Sequence, residues 1–235
     1  MQQKNYIIKE NLIKPDIKEF ELSIDQVARY SGGSRYTLDT QKASLAQAML
    51  DKAVSLARPA YCYSSFKVLH HENGQSMQLS NAFIECPVFI SSKVVGVVAL
   101  ICTIGPEVEK QVTALNKCNE FLDAFFLDAA GLAILDGVTR AADKRITDKI
   151  EAAGLYTGCR WEPGCEKTSM TGQKLLFDLL CPNFLGVTLS ESYVFLPYKT
   201  VSCWIPITKN PMGKNNTDKC RQCSLKNCLY RQNKS

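Results

Sequence analysis

The chain has 235 residues, of which 46% are hydrophobic, and it carries a formal net charge of +5. This length and apolar content are sufficient for a full buried core, so we expect a globular protein. The modest charge disfavours nucleic-acid binding, because no long Lys/Arg run appears before the last residues. The N-terminal residues lack the apolar core of a signal peptide, which predicts cytoplasmic residence.

Two helices are predicted near the N-terminus, after a short strand or arm over residues 7–17. The first covers residues 23–30, because a serine stands at the N-cap position and a Gly-Gly pair follows the last turn. The second covers residues 39–57 and is closed by an Arg-Pro pair. The predicted apolar face of this second helix consists of Leu45, Met49, Ala53 and Leu56.

Strand patterns dominate the next part of the chain. Four strands are predicted, over residues 60–69, 76–83, 88–90 and 94–104. The last segment is the most apolar of the chain but is too short to cross a bilayer, so we predict a buried strand and no membrane span. His70 and His71 are the only histidines and are expected in an exposed hairpin turn, without a role in a site.

Two further helices are predicted, over residues 107–115 and 120–153. The first begins with a proline and two acids, which suit the first turn of a helix. Gly131 and Gly137 in the second are expected to permit close packing. The predicted apolar stripe of the second helix consists of Phe121, Leu122, Phe125, Phe126, Ala129, Leu132, Leu135 and Val138.

A Pro-Gly turn at residues 158–165 is followed by a helix-spaced apolar run at residues 175–180. The turn exposes backbone groups that can surround a small ligand, and the apolar run is expected to anchor it to the core. Taken alone, the pattern favours the alternative, an ordinary turn that binds no ligand. A short strand or turn is predicted at residues 186–189, and a strand pair around Pro197. Strands at both ends of the chain with helices between them predict the α+β class. No Gly-x-Gly-x-x-Gly or phosphate loop is present, which disfavours nucleotide binding of those types.

Eleven cysteines are many for a cytosolic chain and favour metal ligation or plain burial over disulfides. Cys220, Cys223 and Cys228 have C-x2-C-x4-C spacing after a polar linker, which predicts one metal centre. An iron-sulfur cluster is favoured over zinc, because the second C-x2-C pair of a paired zinc site is absent. The candidates for the fourth ligand are Cys203, Cys159 and Cys165. The cysteines interpreted as structural are Cys62, Cys86, Cys102, Cys118 and Cys181.

Several short motifs occur in a distinctive order along the chain. They are Arg29-Tyr30, Thr103-Ile104-Gly105, Arg160-Trp161-Glu162-Pro163-Gly164, Gln173 with Leu176-Phe177, Gly186-Val187-Thr188-Leu189 and Pro197-Tyr198-Lys199-Thr200-Val201-Ser202. In this order they resemble the activation domain of cobalamin-dependent methionine synthase, in particular its free-standing relatives found beside corrinoid methyltransferases. The resemblance implies a single α+β domain at residues 1–208, with a twisted antiparallel sheet and flanking helices, and a linker with a Cys-rich metal-binding tail at residues 209–235.

The resemblance also implies an activity. It predicts an accessory protein that reactivates the Co(II) corrinoid of a partner by reductive methylation, using S-adenosylmethionine and an electron donor. The implied partners are a corrinoid-binding protein or a cobalamin-dependent methyltransferase, and a ferredoxin-type or flavoprotein donor. The alternative is a non-catalytic docking module for a corrinoid protein, with a structural metal in its tail. No catalytic residue is assigned.

Binding residues follow from the resemblance one by one. Arg160 is expected to fix the carboxylate of S-adenosylmethionine, while Glu162 and Gly164 offer backbone contacts to its nucleoside. Asp136 aligns loosely with an acidic ligand contact, with a solvated helix face as the alternative. Cys165 stands where the family has an aromatic residue, and the tyrosine that lines the site downstream falls in the Cys-rich tail. We therefore expect either a reshaped site or S-adenosylmethionine binding that is weakened or lost.

Overall fold

Antiparallel strands form the framework of the fold. The computed structural model describes residues 8–72, 76–80, 82–86, 94–165 and 168–211. The strands of this part are β1 (Lys9–Ile13), β2 (Ala60–Lys67), β3 (His70–Glu72), β4 (Ser76–Gln78), β5 (Phe83–Glu85), β6 (Val94–Thr103), β7 (Tyr156–Thr157), β8 (Thr188–Leu189), β9 (Phe195–Leu196) and β10 (Thr200–Thr208). The central sheet has the order β1-β2-β6-β10-β7, and two small sheets have the orders β3-β4-β5 and β8-β9.

Five α-helices occur in the described part of the chain. They are α1 (Ile24–Gly32), α2 (Thr40–Leu56), α3 (Glu107–Lys117), α4 (Phe121–Ala152) and α5 (Gly172–Leu180). Short 3-10 turns lie at Ile17–Glu19 and Pro182–Leu185. No helix in these ranges has the length and apolar character needed to cross a membrane. The mixture of helices with a curled antiparallel sheet confirms the predicted α+β class.

The central sheet is covered on both faces. Tyr63, Leu100 and Cys203 form one row across β2, β6 and β10, and they pack against α1 to α4. Ala99 and Trp204 point to the opposite face, where a second core contains Leu176 of α5 and Ile84 of β5. Burial on both faces explains why β6 is a nearly continuous apolar run, without the alternation of a half-exposed strand.

The caps that the sequence predicts for the first two helices are confirmed. The Ser23 side chain accepts a hydrogen bond from Gln26 N, and the side-chain oxygen of Gln26 accepts one from Ser23 N. Asp39 accepts from Lys42 N at the start of α2. The predicted apolar face of α2 packs against the core, with Leu45, Met49 and Leu56 partly buried, but it is incomplete, because Ala46 and Leu50 are buried as well. Of the four predicted face residues, only Ala53 is fully buried.

The apolar stripe of α4 is wrong at its beginning. Phe121, Leu122 and Phe125 are 62%, 51% and 44% exposed, whereas the stripe is buried from Phe126 onward except for the half-buried Leu132. With 32 residues, α4 is about 48 Å long, and a strand of nine residues such as β10 spans only about 30 Å. The long helix therefore extends beyond the sheet that covers it.

Two strand predictions and one turn prediction differ from the structure. The segment 76–83 divides into β4 and the start of β5, while residues 88–90 lie outside the described ranges. The strand pair around Pro197 is wrong, because β9 pairs with β8 and β10 pairs with β6 and β7. The histidines lie in β3 and not in a turn, and His71 Nε2 is 2.8 Å from Val94 O.

The two glycines of α4, Gly131 and Gly137, permit close packing. A Cβ atom on Gly131 would lie 2.5 Å from Lys199 Cε, and one on Gly137 would lie 3.1 Å from the ring of Phe20. Lys199 is 5% exposed, and its Nζ is 2.6 Å from Asp128 Oδ1. Gly131 therefore makes room for an ion pair between the half-exposed Asp128 of α4 and the buried Lys199, which precedes β10.

An ion cluster joins the edge strand β1 to α4. Both carboxylate oxygens of Glu10 accept hydrogen bonds from Arg145 at 2.9 Å, and Lys149 donates a further one. The hydrogen bonds from Arg145 lower the pKa of Glu10 to about 2 although burial opposes this shift. Glu10 is thus a long-range tie between elements that are far apart in the sequence.

We expect the contribution of Glu10 to stability to depend on pH. Its folded-state pKa lies below the ordinary value of 4.5, so the contribution is complete above about pH 4.5 and is lost as the pH falls towards 2. Because Arg145 and Lys149 are 49% and 39% exposed, solvent screening limits the effect to about 1 kcal/mol. Urea unfolding of Glu10→Gln should show this loss at pH 7 and a smaller one at pH 3.

The exposed Glu21→Gln variant is the matched control and should match the unsubstituted protein at both pH values. A loss in Glu10→Gln that is equal at pH 3 and pH 7 would contradict the ionic origin of the effect.

Candidate functional site

The predicted ligand loop continues the central sheet beyond β7. Gly158 N donates to Pro206 O at 3.0 Å, and the backbones of Trp161 and Trp204 exchange two hydrogen bonds of 2.9 Å. Side chains alternate along extended backbone, so Trp161 enters the second core with Trp204. Arg160 and Glu162 consequently point to the face of the sheet that carries α4.

The Pro-Gly turn ends this extended segment. Cys165 N donates to Glu162 O at 3.1 Å, and Gly164 has a φ of 86°, a left-handed conformation that favours glycine. A Cβ on Gly164 would lie 2.3 Å from Met170 Sδ, so the turn is closely packed as well as tightly bent. The predicted anchor helix is confirmed as α5. It contributes Leu175, Leu176, Phe177, Leu179 and Leu180 to the second core.

Arg160 is the centre of a charged cluster. Its side chain is 18% exposed, and its Nε is 3.6 Å from Glu162 Oε1. Burial acts to lower the pKa of Arg160, but the nearby Cys203, Glu162, Asp143 and Asp136 hold this pKa above its ordinary value. The fold therefore brings Asp136, on the long helix, into the electrostatic environment of the loop residue Arg160.

Tyr30 and Arg140 complete this cluster. Arg140 Nε is 3.7 Å from Asp136 Oδ2, one helical turn away on α4. Burial, followed by the Asp136 carboxylate, raises the pKa of Tyr30, while the cations Arg140 and Arg160 act in the opposite direction. Neither residue is among the predicted site residues. The Arg29-Tyr30 pair in the motif order is a signal for Tyr30, whereas Arg140 has no signal in the sequence.

Buried thiols lie under the guanidinium of Arg160. Cys203 is 1% exposed, and it influences the ionisation of both Arg160 and the fully buried Cys102. Burial raises the pKa of Cys102 well above the ordinary thiol value.

Only some of the predicted metal ligands lie in the part of the chain that the structure describes. Cys220, Cys223 and Cys228 lie outside the described ranges, while Cys203 is in the core and Cys159 and Cys165 are partly exposed. Within the described ranges, no group of three or more His, Cys, Asp or Glu residues is suited to hold a metal ion. The tail centre and its fourth ligand thus remain predictions from cysteine spacing.

The cluster has alternating charge. Arg160 and Arg140 offer guanidinium groups for a carboxylate, and Asp136, Asp143 and Glu162 offer carboxylates for an ammonium group. A zwitterionic α-amino acid group carries both of these charges close together. The residues at the loop therefore offer both of the charges that complement a zwitterionic amino-acid group.

Comparison with known proteins places the fold in context. No family model and no curated protein sequence matches the chain. A solved structure that does match is the crystal structure of the MetH reactivation domain bound to AdoHcy, with a TM-score of 0.63. The match covers 88% of this chain and 79% of that chain at 13% sequence identity. At this identity the likeness establishes a shared fold.

Proposed function

We propose that the protein reactivates the corrinoid of a partner protein in the cytoplasm by reductive methylation. A Co(II) corrinoid takes up one electron to give Co(I), which receives the methyl group of S-adenosylmethionine and leaves S-adenosylhomocysteine. The second step makes the first one practicable, because one-electron reduction of Co(II) is uphill and methyl transfer is essentially irreversible. The protein would supply the S-adenosylmethionine site and a surface for the corrinoid partner.

The observation that carries this proposal is the position of Arg160. It lies on the predicted Arg-x-x-Pro-Gly loop, beside Glu162 and close enough to the Asp136 carboxylate for an electrostatic interaction. The same fold in a MetH reactivation domain was crystallised with AdoHcy, which is S-adenosylmethionine without its methyl group. A guanidinium for the carboxylate and acids for the ammonium group fit the methionyl end of that ligand.

The remaining predicted contacts are part of the same proposal. Glu162 and Gly164 would present backbone groups to the nucleoside, and Cys165 would leave more room than the aromatic residue of the family. The Cys-rich tail, with Cys203 as the proposed fourth ligand, would bind an iron-sulfur cluster that passes an electron from a ferredoxin-type or flavoprotein donor. Support for the tail comes from the spacing of its cysteines alone.

The deciding experiment is anaerobic incubation of the protein with a Co(II) corrinoid protein, a reductant and S-adenosylmethionine, followed by the cobalt absorption spectrum. We expect methyl-Co(III) to form only when this protein and S-adenosylmethionine are both present. Unchanged Co(II) in the complete mixture would refute the proposal. Iron analysis and EPR of the same preparation test the tail, for which zinc at one equivalent without iron is the contrary result.

A further inference from the structure

A cavity lies on the face of the sheet opposite Arg160. It has a volume of about 380 Å³, within the range of small-molecule sites. It lies between β5, the Pro-Gly turn and the first residues of α5. Its apolar walls include Phe83, Ile84, Trp161, Pro163, Leu175 and Trp204. Because Trp161 separates this cavity from Arg160, the two sites are distinct.

The polar residues of the cavity are neutral except for one acid. Hydroxyl groups of Thr168, Ser169 and Thr171 line one part of it, together with the carboxylate of Glu85. Glu85 is the one ionisable residue among the described residues that line the cavity. Ser169 N donates a hydrogen bond to Glu85 Oε2, which holds the carboxylate in place. The cavity therefore has a solvent-exposed negative charge, held by this hydrogen bond, beside apolar walls.

This composition selects a class of ligand. An anion would be repelled by Glu85, whereas an ammonium group would be attracted and would find hydroxyl oxygens as additional acceptors. The aromatic and aliphatic walls require an apolar body next to that charge. We propose that this cavity binds a small organic cation with an apolar body, of the arylalkyl amine class. The site is independent of the S-adenosylmethionine site proposed at Arg160.

The chain contains its own reporter for this site. Trp161 and Trp204 are its only two tryptophans, and both line the cavity. Titration of the full chain with phenethylamine, followed by tryptophan fluorescence, should give a saturable change. The anion 3-phenylpropionate has a similar size and shape, so the comparison isolates charge. We expect phenethylamine to bind at least about tenfold more tightly than 3-phenylpropionate.

Variants separate this site from the first one. Glu85→Gln should lose the preference for the amine, while Glu191→Gln, at an exposed glutamate outside the cavity, should keep it. Arg160→Gln should also retain amine binding, so failure at one site is distinguishable from failure at the other. Circular dichroism checks that each variant is folded. Equal affinity for the two compounds, no saturable response, or a preference that survives in folded Glu85→Gln would overturn the proposal.

Discussion

Replacement of Arg160 by glutamine should reduce S-adenosylmethionine affinity about 100-fold when binding is measured by calorimetry. A guanidinium that pairs with a carboxylate contributes roughly 1.5–3 kcal/mol, and a factor of 100 corresponds to about 2.7 kcal/mol. The effect should be near the upper end of this range because the side chain is only 18% exposed. Loss of the cation also leaves Glu162 and Asp136 without their shared neighbour.

Two further variants make this measurement specific. Arg160→Lys keeps the charge but not the two-pronged donor geometry, so its affinity should lie between those of the unsubstituted protein and Arg160→Gln. Arg35→Gln removes an exposed arginine between α1 and α2 and should leave the affinity unchanged. Thermal unfolding shows whether each variant remains folded. A folded Arg160→Gln protein that binds S-adenosylmethionine normally would remove Arg160 from the site.

Substitution of Gly131 by valine should lower the free energy of unfolding by about 2–3 kcal/mol. Even the first added carbon would lie 2.5 Å from Lys199 Cε and 3.0 Å from Val108 Cγ1. Lys199 would have to leave its position next to Asp128, and a buried ammonium group without its partner is costly. Urea unfolding at neutral pH measures the loss.

A double-mutant cycle identifies the origin of this loss. Lys199→Met removes the ammonium group and keeps a flexible apolar side chain. If displacement of the charged group causes the effect, Gly131→Val should cost less in the Lys199→Met background than alone. Strictly additive losses would show that packing against Val108 or the helix propensity of valine is responsible.

The likeness to a MetH reactivation domain limits what the fold alone implies. A shared fold at 13% identity shows the fold alone, and activity depends on the residues at the site. The residues proposed for that site are Arg160, Glu162 and Asp136, together with Tyr30 and Arg140. The Arg160 and Gly131 variants therefore test separate properties, since one concerns the ligand site and the other the packing of the long helix.

Local structure was readable in the sequence. The capping residues Ser23 and Asp39 mark helix starts because each bonds backbone groups within three residues of itself. The bounds of α3 and α4 follow from the helical spacing of their apolar residues and from the residues around them that interrupt this spacing. The Pro-Gly turn and its anchor helix are local as well. Such features depend on neighbours along the chain, and a single sequence contains all of them.

Contacts between distant residues were decided by tertiary structure. The exposure of Phe121 and Phe125 depends on how far α4 extends past the sheet. The helical spacing of apolar residues in the sequence does not show this distance. The approach of Lys199 to Gly131 and the cluster of Arg140 with Asp136 and Arg160 likewise require the elements to be packed. The sequence by itself determined the elements and the loop with its arginine. Only the packing of α4 against the sheet edge decided which charges surround that arginine, because electrostatic neighbours are set by distance in space.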